Sequence, residues 1–222
     1  MTADSSGYAD HSFAERYVTA SAAAEDRGAR EHRRTLLSGA SGSVCEVGAG
    51  HGLNFVHYPS AVTQVIAVEP EPTLRGHARA AAERSARNIK VVDGTAGALP
   101  VPDASCDVVV ASLVLCSVPD QHAALTEILR VLSPGGHLRF YEHVRSQHRP
   151  IAWFQHAIAP PWGRFAGGCH PDRDTLASMQ ANGFHVSDLQ RFAFSPARGV
   201  PAFAHVLGRA AATRRPTSGG AE

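Results

Sequence analysis

A glycine-rich turn flanked by carboxylates is the feature of this 222-residue sequence best suited to bind a ligand. Gly48, Gly50 and Gly52 follow an apolar segment, and Glu46 stands two positions before the first of them. Glycine lets a backbone turn sharply and approach a ligand without a Cβ clash. Glu69 ends the next apolar segment about 20 residues later, where a carboxylate can accept hydrogen bonds from both hydroxyls of a ribose. The pattern therefore predicts a site for a nucleoside-containing ligand.

Two classes of ligand compete for such a turn. The dinucleotide fingerprint is G-x-G-x-x-G, whose third glycine packs a helix onto a strand beneath a pyrophosphate. Here the third glycine comes one residue early, and Leu53 stands where that fingerprint has glycine. The chain also lacks a Tyr-x-x-x-Lys pair, since Lys90 is its sole lysine. A dinucleotide-dependent oxidoreductase therefore stays an alternative that the spacing disfavours.

The order E-x-G-x-G-x-G, which begins at Glu46, resembles the first motif of the class I S-adenosylmethionine (SAM) dependent methyltransferases. Residues 93–100, DGTAGALP, resemble the loop that borders adenine in that family, and residues 129–136, LRVLSPGG, resemble its L-x-P-G-G turn. The resemblance implies SAM as the cofactor, S-adenosylhomocysteine as its product and a methyl transfer as the reaction.

The resemblance also implies a cofactor site along the strand ends. Glu46 would face the cationic methionine end of SAM, the glycines would make room for its amino acid and ribose, and Glu69 would hold the ribose. Thr95 stands where the family has an acidic residue, so the Thr95 hydroxyl, the backbone or Asp93 would recognise the adenine amino group. The implied cofactor-binding residues are Glu46, Gly48, Ala49, Gly50, Gly52, Asn54, Glu69, Pro70, Thr95, Ala96, Leu113 and Val114.

Further segments are similar to one branch of this family. Residues 52–59 match a G-x-N-F-x-x-Y-P pattern, and LVLCSV at 113–118 is followed by EHV at 142–144, a tryptophan-bearing segment and Gly168-Cys169. In this order they resemble the methyltransferase-like proteins that methylate alkyl thiols and hydrogen sulfide, over roughly residues 44–208. The animal members carry an N-terminal hydrophobic membrane anchor, and because no apolar run of that kind stands in these 222 residues, membrane association is not expected to follow from the resemblance.

The residues after the fourth and fifth predicted strands are candidates for the acceptor side. A thiol, with a pKa near 8.5, needs little help from a base. His143 is the candidate base, because ligands of open α/β sheets bind beyond the carboxyl ends of the strands; the alternative is a histidine that hydrogen-bonds the loop backbone. Glu142 would orient the imidazole or end the strand. Cys116 is expected to be a pocket wall, since direct in-line transfer needs no covalent enzyme intermediate.

An aromatic segment at 146–172 is predicted to supply another wall of the substrate pocket. Trp153 and Trp162 are its candidate contacts, and core packing is the alternative for each. Tyr8 and His11, together with Tyr17, would close over the site if the N-terminal helix acts as a lid.

The elements that must position these residues alternate along the chain. Strands are predicted at 44–47, 64–68, 89–92, 106–112, 137–142, 184–189 and 202–207, and helices at 71–87, 120–132 and 174–181. This alternation indicates an α/β fold, with a mostly parallel seven-stranded sheet covered by helices on both faces. The resemblance to the class I methyltransferases implies their Rossmann-like fold, here preceded by an N-terminal helical extension.

The predicted elements divide the chain into three parts. Residues 1–40 are the helical extension and possible lid, 41–210 the SAM-binding domain, and 211–222 a disordered tail. In the extension, arginines alternate with acidic residues, which is typical of a solvated helix face; the arginines are Arg27, Arg30, Arg33 and Arg34.

Composition limits the partners and the compartment. The net charge of +1 gives no case for a nucleic-acid partner. The four cysteines form no C-x-x-C pair, so no metal site or disulfide framework is expected and a reducing cytoplasm fits best. No apolar run approaches the roughly 18 residues that span a bilayer. Frequent Ala, Arg and Gly suggest a high-GC bacterial gene.

The expected partner is a small-molecule thiol, which the protein would methylate on sulfur. The alternative functions are O-, N- or C-methylation of a small natural product, and SAM binding without activity.

Overall fold

The structure, a computed structural model, describes residues 11–213 and is built around one seven-stranded sheet. The strands are β1 (Gly42–Val47), β2 (Val62–Val68), β3 (Ile89–Val92), β4 (Cys106–Ser112), β5 (Leu132–His143), β6 (Phe184–Phe194) and β7 (Phe203–Ala212). The helices are α1 (His11–Ala24), α2 (Arg30–Leu37), α3 (Pro72–Glu83), α4 (Gln121–Val131), α5 (Arg149–Phe165) and α6 (Thr175–Ala181). The strand order is β3-β2-β1-β4-β5-β7-β6.

The sheet is mixed rather than uniformly parallel. Strands β1 to β5 pair in parallel, whereas β7 lies antiparallel between β5 and β6. The β6–β7 connection is short, and a short connection joins only antiparallel neighbours. Both strands are also longer than the predicted 184–189 and 202–207, and β5 is longer than 137–142. The expectation of a Rossmann-like seven-stranded sheet is confirmed, with two antiparallel pairings at one edge.

The central strands are buried on both faces. In β4, residues 108–111 are at most 1% exposed, and they contact β1 on one side and β5 on the other. Helices cover both faces, so a continuous apolar run such as VVVA has no solvent side. The carboxyl ends of β1, β2, β4 and β5 consequently lie along one edge, where the candidate site residues follow.

The N-terminal extension packs onto the sheet. Leu36 and Leu37 at the end of α2 are fully buried, and Arg139 of β5 donates a hydrogen bond to the Leu36 carbonyl at 2.9 Å. A π-helical segment, Glu25–Ala29, separates α1 from α2, and Gly28 within it takes a φ of +121°. This kink lets α1 turn away from α2 towards α3, where Glu15 lies 3.7 Å from His77.

Two predicted segments differ from the structure. Most of the aromatic segment 146–172 is the helix α5, which contains two prolines in succession. Ala211 and Ala212 pair within β7 instead of opening a tail, and the rest of the predicted tail from 214 onward lies outside the described residues. Between residues 11 and 213, no helix is both long enough and apolar enough to cross a membrane.

Candidate active site

The glycine turn after β1 requires its glycines. Gly48, Gly50 and Gly52 have φ values of +62°, +57° and +87°, a region that favours glycine. A Cβ on Gly48 would lie 2.6 Å from a methyl carbon of Val114, and a Cβ on Gly50 would lie 3.4 Å from the ring of Tyr17. The turn therefore contacts the segment after β4 on one side and helix α1 on the other.

Glu69, at the end of β2, faces the glycine turn. One carboxylate oxygen accepts the N–H of Gly50 at 2.8 Å, and the other accepts the N–H of Glu71 at 2.9 Å. Burial raises the pKa of Glu69, against the lowering effect of these two N–H groups. Each carboxylate oxygen has a second lone pair, so the arrangement leaves acceptors for the hydroxyls of a ribose.

Glu46, at the end of β1, is 1% exposed, and each of its carboxylate oxygens accepts a hydrogen bond. Its two oxygens accept from the Asn54 amide at 2.8 Å and from the Tyr58 hydroxyl at 2.7 Å. Burial raises the pKa of Glu46 to about 7, although both hydrogen bonds oppose the shift. Asn54, predicted as a cofactor contact, is thus placed where it holds Glu46.

Arg33 is a site residue that the sequence analysis assigned to a solvated surface, and that assignment is wrong. It is 6% exposed and pairs with Glu25, itself 9% exposed, at 2.9 Å. The same guanidinium donates to the side chains of Asn54 and Ser112, each at 3.1 Å. A signal was present: Arg33 stands three residues before Leu36, on the same helix face as the apolar residues. The exposed pair of Arg34 with Glu31 matches the surface interpretation.

Glu142 orients a loop rather than an imidazole. Its carboxylate accepts the N–H groups of Val114, Leu115 and Cys116 at 3.0, 3.0 and 3.1 Å. Before them, Leu113 takes a φ of +61°, a conformation rare outside glycine, and donates its N–H to Tyr141. The predicted role of Glu142 as the orienter of His143 is therefore corrected: the carboxylate fixes the loop that follows β4.

Arg75 of α3 joins the end of β2 to the start of the loop that is predicted to border the adenine. Its guanidinium donates to the Glu69 and Pro70 carbonyls, each at 2.8 Å, and pairs with Asp93 at 3.0 Å. Thr95 forms an antiparallel bridge with Ala98 that closes the loop containing Ala96. Asp93 is thereby engaged by Arg75, and the Thr95 loop follows it at the end of β3.

Tyr17 of α1 covers the glycine turn. The cavity lined by Tyr17, Arg33, Glu46 and the turn has a volume of about 10 Å³, roughly the space that a single water needs. The donors and acceptors around it suit an amino acid and a ribose, but a ligand of that size fits only if Tyr17 moves. Tyr8 lies outside the described residues, and of His11 only its place at the start of α1 is described.

Three side chains from separate elements meet on the other side of the β4 loop. The Nδ1 of His143 lies 3.7 Å from the sulfur of Cys116 and 3.4 Å from the sulfur of Cys169, and the two sulfurs are 3.7 Å apart. Both cysteines are buried and His143 is half-buried. The hydrogen bond between the two thiols raises the pKa of Cys116 and lowers the pKa of Cys169. Cys169 carried no role in the sequence analysis, because its partners are 26 and 53 residues away.

The two predicted tryptophan contacts fall in different places. The Trp162 indole lies against Phe203, with ring centroids 4.7 Å apart, and close enough to Cys169 to help lower the pKa of that thiol. Trp153 is 74% exposed, so the structure does not bring it to the pocket. The two positions differ because Trp162 lies on the part of α5 that faces β7.

Comparison with known sequences adds a family to this geometry. The family described as "Methyltransferase domain" matches residues 45–140, which include the glycine turn and Glu69 but end before His143. The chain is 33% identical over 181 residues to the thiol S-methyltransferase TMT1B of Rattus norvegicus, covering 78% of this chain and 73% of that protein. The human protein of the same name is 34% identical, with the same coverage.

A shorter match relates the chain to a different kind of methyltransferase. The ubiquinone/menaquinone biosynthesis C-methyltransferase UbiE of Pseudoalteromonas translucida is 31% identical over 121 residues, covering 46% of this chain and 48% of that protein. Among solved structures, the match to YcgJ from Bacillus subtilis covers 84% of this chain and 99% of the YcgJ chain, with a TM-score of 0.69 and 16% identity. The match to a SAM-dependent methyltransferase from Methanosarcina mazei has a TM-score of 0.60 and 17% identity, and it covers 78% of this chain and 93% of the other. At these identities the structures establish the fold.

Proposed function

The chain belongs to the SAM-dependent methyltransferases, in the family that includes the mammalian thiol S-methyltransferases, and from that premise we propose that it methylates the sulfur of a small-molecule thiol. SAM is the cofactor, and it supplies an electrophilic methyl group when bound. The proposal concerns the acceptor, which must be a nucleophile positioned opposite the SAM sulfonium.

The observation that supports a thiol is the extent of the similarity. The match to the rat thiol S-methyltransferase covers 78% of the 222 residues, which is about 173 residues. A segment of that length includes residues 51–172 wherever it begins, so it contains Cys116, His143, Trp162 and Cys169. The match to the C-methyltransferase covers 46% of the chain. Likeness to the thiol enzymes thus extends through the residues proposed to face the acceptor.

The acceptor pocket in this proposal lies beside His143 and is bordered by Cys116, Cys169, Trp162 and Phe203. The imidazole would take the thiol proton, and a sulfur lone pair would form the S–CH₃ bond as the methyl–sulfonium bond breaks, with S-adenosylhomocysteine as the leaving group. The aromatic rings exclude water from the nucleophile, which raises its reactivity. A thiol suits this environment because a single half-buried imidazole is a sufficient base for it, whereas an alcohol would require a stronger one.

The cofactor side of the proposal uses the residues of the glycine turn. Glu69 holds the ribose, Glu46 faces the methionine end, and the backbone of Gly48 to Gly50 approaches the ligand closely. Arg33 and Asn54 act on Glu46 by holding its position. The loop of Thr95 and Ala96 borders the adenine.

The test is turnover of purified protein with SAM and a panel of an alkyl thiol, a phenol and an amine. We expect a methyl thioether and S-adenosylhomocysteine in equal amounts from the thiol. His143→Ala should lower kcat/KM about 10²-fold near neutral pH, with recovery as the pH approaches the pKa of the thiol. His185→Ala, on the exposed part of β6, is the matched control and should leave the rate unchanged.

A C-, N- or O-methyltransferase is the second candidate, and the similarity to the C-methyltransferase supports it. Methylation of the phenol or the amine without turnover of any thiol would establish that candidate and overturn thiol methylation.

A further inference from the structure

Cys116, His143 and Cys169 form a compact triangle of side chains that can each bind a metal ion. Among the residues that the structure describes, it is the one group of three or more His, Cys, Asp or Glu side chains whose ligand atoms lie close together, all within 4.8 Å. The three residues come from the β4 loop, the end of β5 and the segment after α5. Three separate elements therefore converge on one small volume.

The three distances match the edges of a tetrahedron around a metal ion. With Zn–S bonds of about 2.3 Å and Zn–N bonds of about 2.0–2.1 Å, two sulfur ligands lie about 3.8 Å apart, and a sulfur and a nitrogen about 3.5–3.6 Å apart. The structure has 3.7 Å between the sulfurs, and 3.7 and 3.4 Å from the sulfurs to Nδ1. Each distance is within about 0.2 Å of the tetrahedral value.

The ligand chemistry selects the ion. Two thiolates and an imidazole are soft or borderline donors that favour Zn²⁺ over Mg²⁺ or Ca²⁺. The ring nitrogen of Trp162 is buried and makes no hydrogen bond of full geometry, yet it lies close enough to Cys169 to help lower the pKa of that thiol. An N–H group in that position can donate to a metal-bound thiolate, as outer partners of metal ligands commonly do. The site therefore has three ligands and a candidate supporting donor.

We propose that Cys116, His143 and Cys169 bind one Zn²⁺ ion and leave its fourth position for the thiol substrate. Three protein ligands with one open position are typical of catalytic zinc, whereas structural zinc has four protein ligands. The site adjoins the cofactor turn, because Val114, two residues before Cys116 on the same loop, contacts Gly48. The second half of this proposal rests on thiol methylation as the proposed function.

The chemistry balances with the ion as a Lewis acid that changes no oxidation state. The thiol loses its proton to solvent as its sulfur binds the ion. A sulfur lone pair then forms the S–CH₃ bond while the methyl–sulfonium bond breaks, and that electron pair stays on the former sulfonium sulfur. The methyl thioether leaves the ion because it is a weaker donor than a thiolate. His143 is then a ligand, and lowering the pKa of the thiol is the task of the metal.

The test uses full-length protein freed of metal and titrated with Zn²⁺ against a chromophoric chelator, and with Co²⁺ followed by absorbance. We expect one ion per chain, the visible bands of tetrahedral Co²⁺ and a thiolate-to-cobalt charge-transfer band. Cys116→Ser and Cys169→Ser should each weaken Zn²⁺ binding by at least about 100-fold, since loss of a direct ligand costs more than loss of a group that only supports one. Cys106→Ser is the matched control, because Cys106 is also buried beside another cysteine, Cys45, and should leave binding unchanged.

X-ray absorption of the Zn²⁺-loaded wild-type protein needs no variant and should show two sulfur ligands and one histidine nitrogen. Sub-stoichiometric binding, or binding that persists in both serine variants, would overturn the site. A small thiol added to the Co²⁺ protein without SAM should shift the charge-transfer band. An unchanged band, or equal thiol turnover by metal-free and Zn²⁺-loaded protein, removes the catalytic role while thiol methylation itself stands. One bound Zn²⁺ per chain without any thiol turnover would keep the metal site and overturn thiol methylation as the function.

Discussion

The guanidinium of Arg33 donates to the side-chain oxygen of Asn54 at 3.1 Å and thereby joins helix α2 to the glycine turn. Through the Asn54 amide, the contact extends to Glu46 at the end of β1. A buried charge pair is costly to break, because the remaining partner is left without compensation in a medium of low dielectric. The N-terminal extension is therefore energetically part of the site.

Removing Arg33 should destabilise the protein far more than removing its neighbour. Arg33→Ala leaves Glu25 buried and unpaired, at a cost of roughly 3–5 kcal/mol in the free energy of unfolding. Arg34→Ala removes an exposed pair, with side chains 64% and 68% exposed, and should change it by less than about 1 kcal/mol. Urea unfolding of both variants measures the difference. Equal effects would contradict the buried network.

Glu46 should make both stability and SAM binding depend on pH. Its pKa is about 7 in the folded protein against 4.5 for the free group. The unfolded chain therefore releases this proton at lower pH than the folded one, and stability falls as the pH rises from about 4.5 to about 7. In the wild-type protein this shift lowers the free energy of unfolding by roughly 3 kcal/mol between those two pH values. In Glu46→Gln that decrease should be absent, which urea unfolding at several pH values measures.

The same shift predicts the direction of the ligand effect. If ionised Glu46 faces the cationic end of SAM, affinity for SAM rises with pH until about pH 7 in the wild-type protein, and the slope disappears in Glu46→Gln. Calorimetric titration at several pH values checks it. A slope that persists in the variant assigns the pH dependence to another group.

Glu69 should control affinity through hydrogen bonds that only a carboxylate can accept in full. Glu69→Gln replaces one acceptor oxygen by an NH₂ group, which opposes the backbone N–H of Gly50 or of Glu71 and can no longer accept from a ribose hydroxyl. We expect roughly a tenfold or greater rise in the Kd of S-adenosylhomocysteine. Glu83→Gln, at the exposed end of α3, is the control. Unchanged affinity in Glu69→Gln would remove Glu69 from the ribose site.

Two glycine substitutions should have opposite effects. Gly48→Ala places a methyl group 2.6 Å from Val114 at a φ of +62°, so it should destabilise the protein by at least about 1 kcal/mol and weaken SAM binding. Gly76→Ala, inside α3 with open space around its Cβ, should stabilise it by about 0.4–1 kcal/mol. Thermal unfolding of the two variants gives the signs. A tolerated alanine at 48 would show that the turn and the β4 loop are free to separate.

Helix α1 should respond to the cofactor. Tyr17 fills the space beside the glycine turn, leaving a cavity of about 10 Å³, so a bound nucleoside displaces it. Hydrogen exchange of residues 13–24 should change on addition of S-adenosylhomocysteine, whereas exchange in α4 should not. Identical exchange in α1 with and without the ligand would mean that the ligand binds without moving Tyr17.

The fold class, and the turn that points to SAM, were accessible from local sequence. Glycine, with no Cβ, is favoured where φ is positive, and a short continuous apolar run between turn residues is typical of a strand buried on both faces; both signals are local. The short β6–β7 connection indicates that these two strands are antiparallel, but the position of β7 between β5 and β6 was not accessible, because it depends on which sheet edge remains open. The helical nature of the aromatic segment was also missed, since two successive prolines masked it.

Tertiary structure alone decided which side chains meet. The charged residues around Arg33 predicted a surface position, against the single local signal of its spacing from Leu36. Arg33 is buried, because α2 turns its Leu36 face, and Arg33 with it, onto the sheet. Glu142 and His143 are adjacent in sequence, yet the carboxylate holds the β4 loop while the imidazole meets two cysteines. Cys116 and Cys169 are 53 residues apart, and no local spacing encodes their contact. The sequence by itself determined the cofactor chemistry, because that lies in one short turn; the acceptor side arises where three elements converge, and convergence is a property of the packed chain.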